Sequence, residues 1–569
     1  MEKTRISDLV IPILLLIDGM ICALTAIFAH GIGLDPNIVW GRTRYTLLFL
    51  GMLFMMFSLF LTYFKKRENN FFELTVKSEA VKTFFLLGHV WVFIFVVYAW
   101  FITFGNFTTW NHSTHYYTQL ADAFSKSRLY VDQSPGALLN AQDPYSIITR
   151  PVFSDELWDL SLYKGKLYLY WGPVPALLIT PLQMLIKKKI TDIFLVYFFF
   201  TGLLIFNSLI ILKLWRKFFQ NVPAWNVFVC IPLIGFILPI LWSVNIPDVY
   251  EAAIGAGQFF LIGGLYFILL AFEHGSIDKW KLVLAGVFWA CSVGSRAINS
   301  LSVIFLAAFV VIWIIKNLPR PINWMKALQE IVPLFIPLVI GAVVIGWYNW
   351  ARFDSPFEFG LRYQITIFNL NEQMGLVFKP DYFLPNLYGY IFQPFEFISR
   401  FPFIQPIKGS GILNKFNIVP PHLFAAGRVT GLLFYAPFLL MSLLHLFPTN
   451  KNRFAIDIKP YSFFVNLLAG SFLIGFLTIL FYFYGQMRFM VDIISQITLL
   501  AIIGYWELIS RSQSLKTLPS KYFVGLANLL IAITICVSFL LSFSSESNRM
   551  EKFNPQLIER INNFLTISK

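Results

Sequence analysis

Charge is scarce in this chain. Only 13% of its 569 residues are Asp, Glu, Lys or Arg, where soluble domains carry about 25%, and that excludes an ordinary water-soluble protein. Cysteine is scarce as well. Cys22, Cys230, Cys291 and Cys536 all fall inside apolar runs. None has disulfide-framework or metal-cage spacing, so they read as small packing residues. The formal charge of +14 comes without any basic–aromatic groove motif, which excludes a nucleic-acid partner. There is no internal repeat, and the long polar stretches contain no Gly/Ser low-complexity tract. No small-x-small cleavage site follows the first apolar run before Asp35. That run exceeds the ~7–15 residue core of a signal peptide and is expected to remain as a span.

What the chain does hold is grease. Hydrophobic residues make up 57%, including 63 Phe. Runs such as "LVIPILLLIDGMICALTAIFA" from Leu9 and "YTLLFLGMLFMMFSLFLTYF" from Tyr45 match the ~20 residues that cross a bilayer as a helix. Backbone polar groups cannot stay unpaired in hydrocarbon, so the runs must be helical. The expectation is an all-α polytopic membrane protein of about 13 transmembrane helices. The spans lie near 8–30, 45–64, 83–104, 192–212, 226–243, 252–272, 281–297, 299–316, 327–350, 427–447, 461–484, 490–509 and 521–543. Basic clusters in "KKRENNFFELTVK", "KLWRKFFQ", "KNLPRPINWMK", "NKNRFAIDIKP" and "RSQSLKTLPSK" assign those loops to the cytoplasm. Two long loops, 105–171 and 351–426, are then outside. Four regions follow: two N-terminal helices and a cytoplasmic loop (1–82), a transmembrane module carrying the first outer loop (83–350), the second outer loop (351–426), and C-terminal helices with a tail (427–569).

Two segments need separate treatment. "WGPVPALLITPLQMLIKKK" contains Pro173, Pro175 and Pro181, which interrupt a helix; 172–187 is expected to be half-inserted and to line a cavity. "TQLADAFSKSRLY" places Leu120, Ala123, Phe124 and Leu129 at helical spacing, as in a helix lying on the membrane surface.

The outer side gathers ionisable residues beside lipid: His115, Asp122, Asp143, Asp155, Asp159, Asp248, Glu251, Arg296, Arg352, Asp354, Arg362 and Arg488. Such groups are costly at membrane depth and face a polar cavity or one another. An acid can take a proton from an acceptor hydroxyl, and an arginine can grip a phosphate through two N–H groups. Together they suit transfer of a group from a lipid phosphate. A divalent metal stays open, with no ligand spacing to hold it, and the cofactor is unknown. Asn106 and Asn111 stand in N-x-S/T sequons, short matches that arise readily by chance.

The same stretches carry a resemblance. "HYYTQLADAFSKSRLY" after a span, followed by "LYKGKLYLYWGPVPALLITP", resembles the first outer loop of GT-C glycosyltransferases, the integral-membrane class with lipid-linked sugar donors. In its aminoarabinose-transferring and protein mannosyltransferase branches, that loop closes with an asparagine–glycine turn and a proline-rich start to the next helix. Tyr163-Lys164-Gly165-Lys166-Leu167-Tyr168 and Gly172-Pro173-Val174-Pro175 fit that close. "IPDVYEAAIGAGQFFLIGGLYFILLAF" and "LAGVFWACSVGSRAINS" are similar to later spans of the class. "YNWARFDSPFEFGLRYQ" and "GQMRFMVDIISQITLL" look like stretches of uncharacterised bacterial relatives. The resemblance covers roughly residues 83–510.

It implies a GT-C-like bundle with two long outer loops, on the inner membrane with its active face outside the cytoplasm. It implies transfer of a sugar from a polyprenyl-phosphate donor to a glycan, lipid or protein acceptor. Substrate contacts would come from Tyr116, Tyr117, Asp143, Tyr163, Tyr168, Asp248, Glu251, Arg296, Arg352 and Arg488. The class usually places its catalytic acid at a position that falls on Ser113 or Thr114 here, and no carboxylate stands there. His115, next to it, and Asp159, ahead of the glycine turn, are the two candidate bases. Two other readings stay open: a transporter or flippase for a lipid-linked glycan, and a non-catalytic assembly subunit with the same fold.

Overall fold

A computed structural model describes residues 10–30, 34, 39–65, 79–110, 113–153, 157–273, 276–409, 423–446, 458–515, 518–545 and 548–566. Asp155, Asn111 and the expected cytoplasmic stretches 66–78 and 447–457 lie outside the described residues. The chain is an all-α polytopic membrane protein. Among the described residues, ten helices are long and apolar enough to cross a bilayer, or eleven if one bent pair counts as a span.

The chain forms two compact units, Met1–Thr109 and Trp110–Lys569. The first holds α1 (Val10–Phe28), α2 (Arg42–Lys65) and α3 (Glu79–Ile102). Two polar links join its helices. Ser58 Oγ donates to the Pro12 carbonyl at 2.6 Å, and His89 Nε2 meets Asp18 Oδ2 at 2.6 Å. In lipid, where helix faces gain nothing by hiding from water, such bonds hold helices together.

The second unit opens with a long loop that carries α4 (Tyr116–Ser125) and the strands β1 (Leu160–Tyr163) and β2 (Lys166–Leu169). The helices α5 (Val174–Ile186), α6 (Asp192–Phe218), α7 (Ala224–Phe236), α8 (Leu238–Val244), α9 (Val249–Ala271), α10 (Lys279–Ser295), α11 (Ser300–Asn317) and α12 (Trp324–Phe353) follow. In the long loop after α12, β3 (Phe395–Phe397) pairs antiparallel with β4 (Ile404–Lys408). Then come α13 (Ile458–Leu480), α14 (Val491–Leu515), α15 (Leu518–Phe543) and the short α16 (Pro555–Thr566). The apolar stretch of α14 is wholly buried and that of α9 is 78% buried, whereas that of α12 is 11% buried. The core is therefore built on α9 and α14, and α12 lies at its edge.

Three expected spans form differently. Residues 226–243 become α7 and α8, bent by 49°. Ile237 is extended there, and Pro239 lacks the N–H that would bond the Gly235 carbonyl. Residues 281–297 become the 17-residue α10. Among the described residues of the expected span 427–447 there is no long α-helix: Leu432–Tyr435 is a single turn, Ala436 leaves helical geometry, and Pro437–Leu446 continues as a 3₁₀ helix.

The segment 172–187 forms α5, only 13 residues long. At 1.5 Å per residue it reaches about 20 Å, short of the ~30 Å hydrocarbon core. The expected surface helix is α4, but protein rather than lipid takes its apolar face. Tyr116, Tyr117, Leu120, Ala121 and Ala123 are buried, and Phe124 meets the Tyr348 ring edge-on.

Candidate active site

The loop ahead of α5 turns back at a tight hairpin. β1 and β2 pair Tyr163 with Lys166, which leaves Lys164 and Gly165 as the turn, with φ of 47° and 75°. Two successive positive φ values make a type I′ turn, whose twist matches that of the strands; glycine adopts it without a Cβ clash. Tyr163 Oη and Lys164 Nζ both reach Asp354 Oδ2, at 2.7 and 2.6 Å. These bonds, from Lys164 first and then Tyr163, hold the exposed Asp354 carboxyl below its ordinary range.

Asp159 precedes β1, with φ of 63°. Its N–H donates to the Ile365 carbonyl at 2.9 Å, and Ile365 N–H returns to the Leu160 carbonyl at 2.8 Å. The two long loops are thus stitched together. The stitch brings Gln364 Nε2 to Asp159 Oδ1 at 2.7 Å. Burial pushes the Asp159 carboxyl above its ordinary value, against the opposing pull of Tyr250, Arg488 and Gln364.

A cavity of about 570 Å³ opens beside this stitch. Asp159, Glu358, Arg296, Arg352 and Arg488 line it, with aromatic walls from Trp158, Trp171, Tyr250 and Tyr482. Arg296, the residue after α10, binds Asp492 of α14 through Nε and Nη2 at 2.9 and 2.6 Å. Arg488 stacks on Tyr250, 3.9 Å from the ring centroid. Its Nη1 lies 3.5 Å from Glu251, which is only 1% exposed. Arg296 and Arg488 flank the Phe489 ring, each guanidinium carbon 5.6 Å from its centroid. Gly172 and Gly294 belong to the wall. A Cβ on Gly172 would stand 2.0 Å from the Gly294 carbonyl oxygen. Gly172→Ala is expected to destabilise the protein by the ~1–3 kcal/mol typical of overpacking, and a thermal-shift measurement checks it.

Of the candidates from the sequence, the cavity gathers Asp159, Arg296, Arg352 and Arg488. Arg352 is already spoken for: its Nη1 donates to the Leu169 carbonyl at 2.6 Å, its Nη2 to Asn349 Oδ1 at 2.8 Å, and its guanidinium stacks on Tyr348. The two candidate bases part company. His115 is exposed at the N-terminus of α4 and is not among the lining residues. Glu251 sits one layer behind, under Arg488. Asp248 pairs with Arg549. Tyr116 Oη donates to the Trp158 carbonyl at 2.6 Å, and Asp143 Oδ2 accepts from Asn369 Nδ2 at 2.8 Å. Tyr117 is fully buried, and Tyr168 packs on Phe353. Tyr163 is held at the hairpin tip.

Ser113 and Thr114, at the position where the resemblance implies an acid, serve as backbone caps. Ser113 Oγ accepts from Ile193 N–H at 3.2 Å, and Thr114 Oγ1 accepts from Val249 N–H at 2.8 Å. The carboxylate at this spot is Asp192, from the start of α6. It accepts from Thr114 Oγ1 at 2.6 Å and from the N–H groups of Tyr116 and Tyr117 at 3.1 and 3.2 Å. It is fully buried and does not line the cavity. Sequence reasoning passed over Asp192, Gln364, Glu358 and Asp492. An acid inside or at the start of an apolar run is the signal that marks Asp192 and Asp492; Gln364 and Glu358 carry none. Among the described residues no three His, Cys, Asp or Glu side chains converge. The cationic and amide neighbours of Asp159 do not fit a divalent metal.

No family model matches the chain, and no curated protein matches it. Among solved structures, the chain is similar to the oligosaccharyltransferase of Archaeoglobus fulgidus in its apo form. The TM-score is 0.45 and the identity 14%, over 81% of this chain and 56% of that one. The chain therefore spans little more than half the length of that enzyme.

Proposed function

We propose that the chain is a GT-C-like glycosyltransferase. It takes a sugar from a polyprenyl-phosphate donor and passes it to a glycan, lipid or protein acceptor, on the outer face of the inner membrane. One observation carries this reading: a single cavity holds Asp159 together with Arg296 and Arg488. An apolar groove of about 470 Å³ adjoins it, walled by Leu301 of α11 and by Ile474 and Leu477 of α13, and shares Ile298 and Phe378 with it. A phosphate beside the arginines would lay its isoprenoid tail in that groove. Asp159 takes the proton from the acceptor hydroxyl as its oxygen bonds the anomeric carbon. The bond from that carbon to the phosphate oxygen breaks, and its electron pair leaves with the phosphate, whose charge Arg296 and Arg488 hold.

The test is to purify the full chain in mild detergent and identify the lipid that travels with it by native mass spectrometry. A polyprenyl phosphate bearing a sugar is expected. The same preparation in vesicles should form a glycosidic bond on an added acceptor extract. Movement of a lipid-linked glycan between leaflets with no new bond would replace this reading with a transporter.

A further inference from the structure

Arg296 is held in an elaborate socket for a residue that only needs to be basic. Asp492 takes its Nε and Nη2 through both carboxylate oxygens, at 2.6 to 3.0 Å. The carboxylate is 4% exposed and its partner guanidinium 13%. Behind the pair, Gln496 Nε2 donates to the Asp492 carbonyl at 3.3 Å and to Gln258 Oε1 of α9 at 3.4 Å. The backbone beneath Arg296 is fixed independently. Asn299 Nδ2 donates to Ser292 Oγ at 2.9 Å, and Ser292 Oγ donates to the Gly257 carbonyl at 2.7 Å. Gly257 leaves just enough room: a Cβ there would stand 3.0 Å from Arg296 Cβ and 2.8 Å from Asn299 Nδ2.

We infer that Asp492 is a positioning residue, which aims the remaining edge of the Arg296 guanidinium into the cavity to receive the donor phosphate. The inference rests on the proposed function. A planar fork has two edges. Asp492 occupies the edge carrying Nε and one Nη2 hydrogen, and the edge carrying Nη1 is left for a ligand of the cavity that Arg296 lines. A free arginine would have to give up rotamer freedom on meeting a phosphate; one clamped by a bidentate carboxylate has already done so.

The test uses the full chain in detergent and two probes, a synthetic polyprenyl monophosphate and the matching polyprenol without phosphate. Asp492→Asn offers one acceptor oxygen where the fork needs two. It should weaken binding of the monophosphate about ten-fold or more and leave polyprenol binding at the wild-type level. A purely architectural role for Asp492 would weaken both probes together, and that result overturns the inference. So does wild-type affinity for the monophosphate. Should Asp492→Asn fail to fold, Asp492→Glu, which keeps the charge but displaces the carboxylate from the fork by one methylene, is read by the same two probes and the same criteria. Arg296→Lys separates this inference from the reading beneath it. If Arg296→Lys binds the monophosphate normally, the phosphate site itself is misplaced. If it binds poorly while Asp492→Asn binds normally, only the role of Asp492 falls.

Discussion

Asp159→Asn should abolish transfer while leaving the protein folded. Removing a general base typically costs ~10²–10⁴-fold in rate, and a loss of that size is expected in turnover with the donor lipid still bound. Asn matches Asp in shape, and the backbone of residue 159 is held by its own N–H bond to Ile365, so the melting temperature should stay near wild type. The wild-type pH profile gives a second readout. Burial raises the Asp159 pKa, and the base works only when ionised. Activity should fall as the pH drops through that raised value, so the acid limb should lie above the range of an exposed aspartate. Asn at 159 with near-normal turnover would remove this residue from the chemistry, and with it the main support for an enzyme.

Asp192→Ala should do the reverse and cost the fold. The side chain is fully buried and serves three donors: the Thr114 hydroxyl and the N–H groups of Tyr116 and Tyr117. Each buried donor left without a partner costs about 1–3 kcal/mol, and three of them take a large part of the ~5–15 kcal/mol that holds a typical domain together. The damage would spread beyond α4, because Thr114 Oγ1 also caps Val249 at the start of α9. Loss of the monodisperse peak in size-exclusion chromatography, or a large drop in melting temperature, is expected. An Ala variant as stable as wild type would show that the loop carrying α4 is anchored elsewhere.

Local features were legible in the sequence and distant pairings were not. Lys164-Gly165 reads as a turn because a tight hairpin is set by its own few residues, and Arg296 and Arg488 read as outer-side cations because each borders an apolar run. Their carboxylate partners lie far along the chain: Asp492 is separated from Arg296 by three membrane-length helices, α11, α12 and α13, and by the loop 351–426. The stitch between Asp159 and Ile365 is of the same kind, since each residue looks ordinary in its own loop. Span positions followed from hydropathy except at 226–243, 281–297 and 427–447; at the first and last the backbone leaves helical geometry at Ile237 and Ala436, beside Pro239 and Pro437, and apolar content there does not reveal which way the backbone goes. The exposed position of His115 likewise depends on where α4 packs, which no single sequence states.

Two of the three arginines lining the cavity come with their own counterions. Arg296 is matched by Asp492 and Arg488 by Glu251, so the site projects little field into the surrounding water. It exerts weak pull on soluble polyanions such as free nucleotides, and encounter with its ligand should depend little on ionic strength. Under the proposed function, delivery passes to the groove between α11 and α13. The search for the donor then runs in the plane of one leaflet, and its pace is set by how many carrier lipids that leaflet holds.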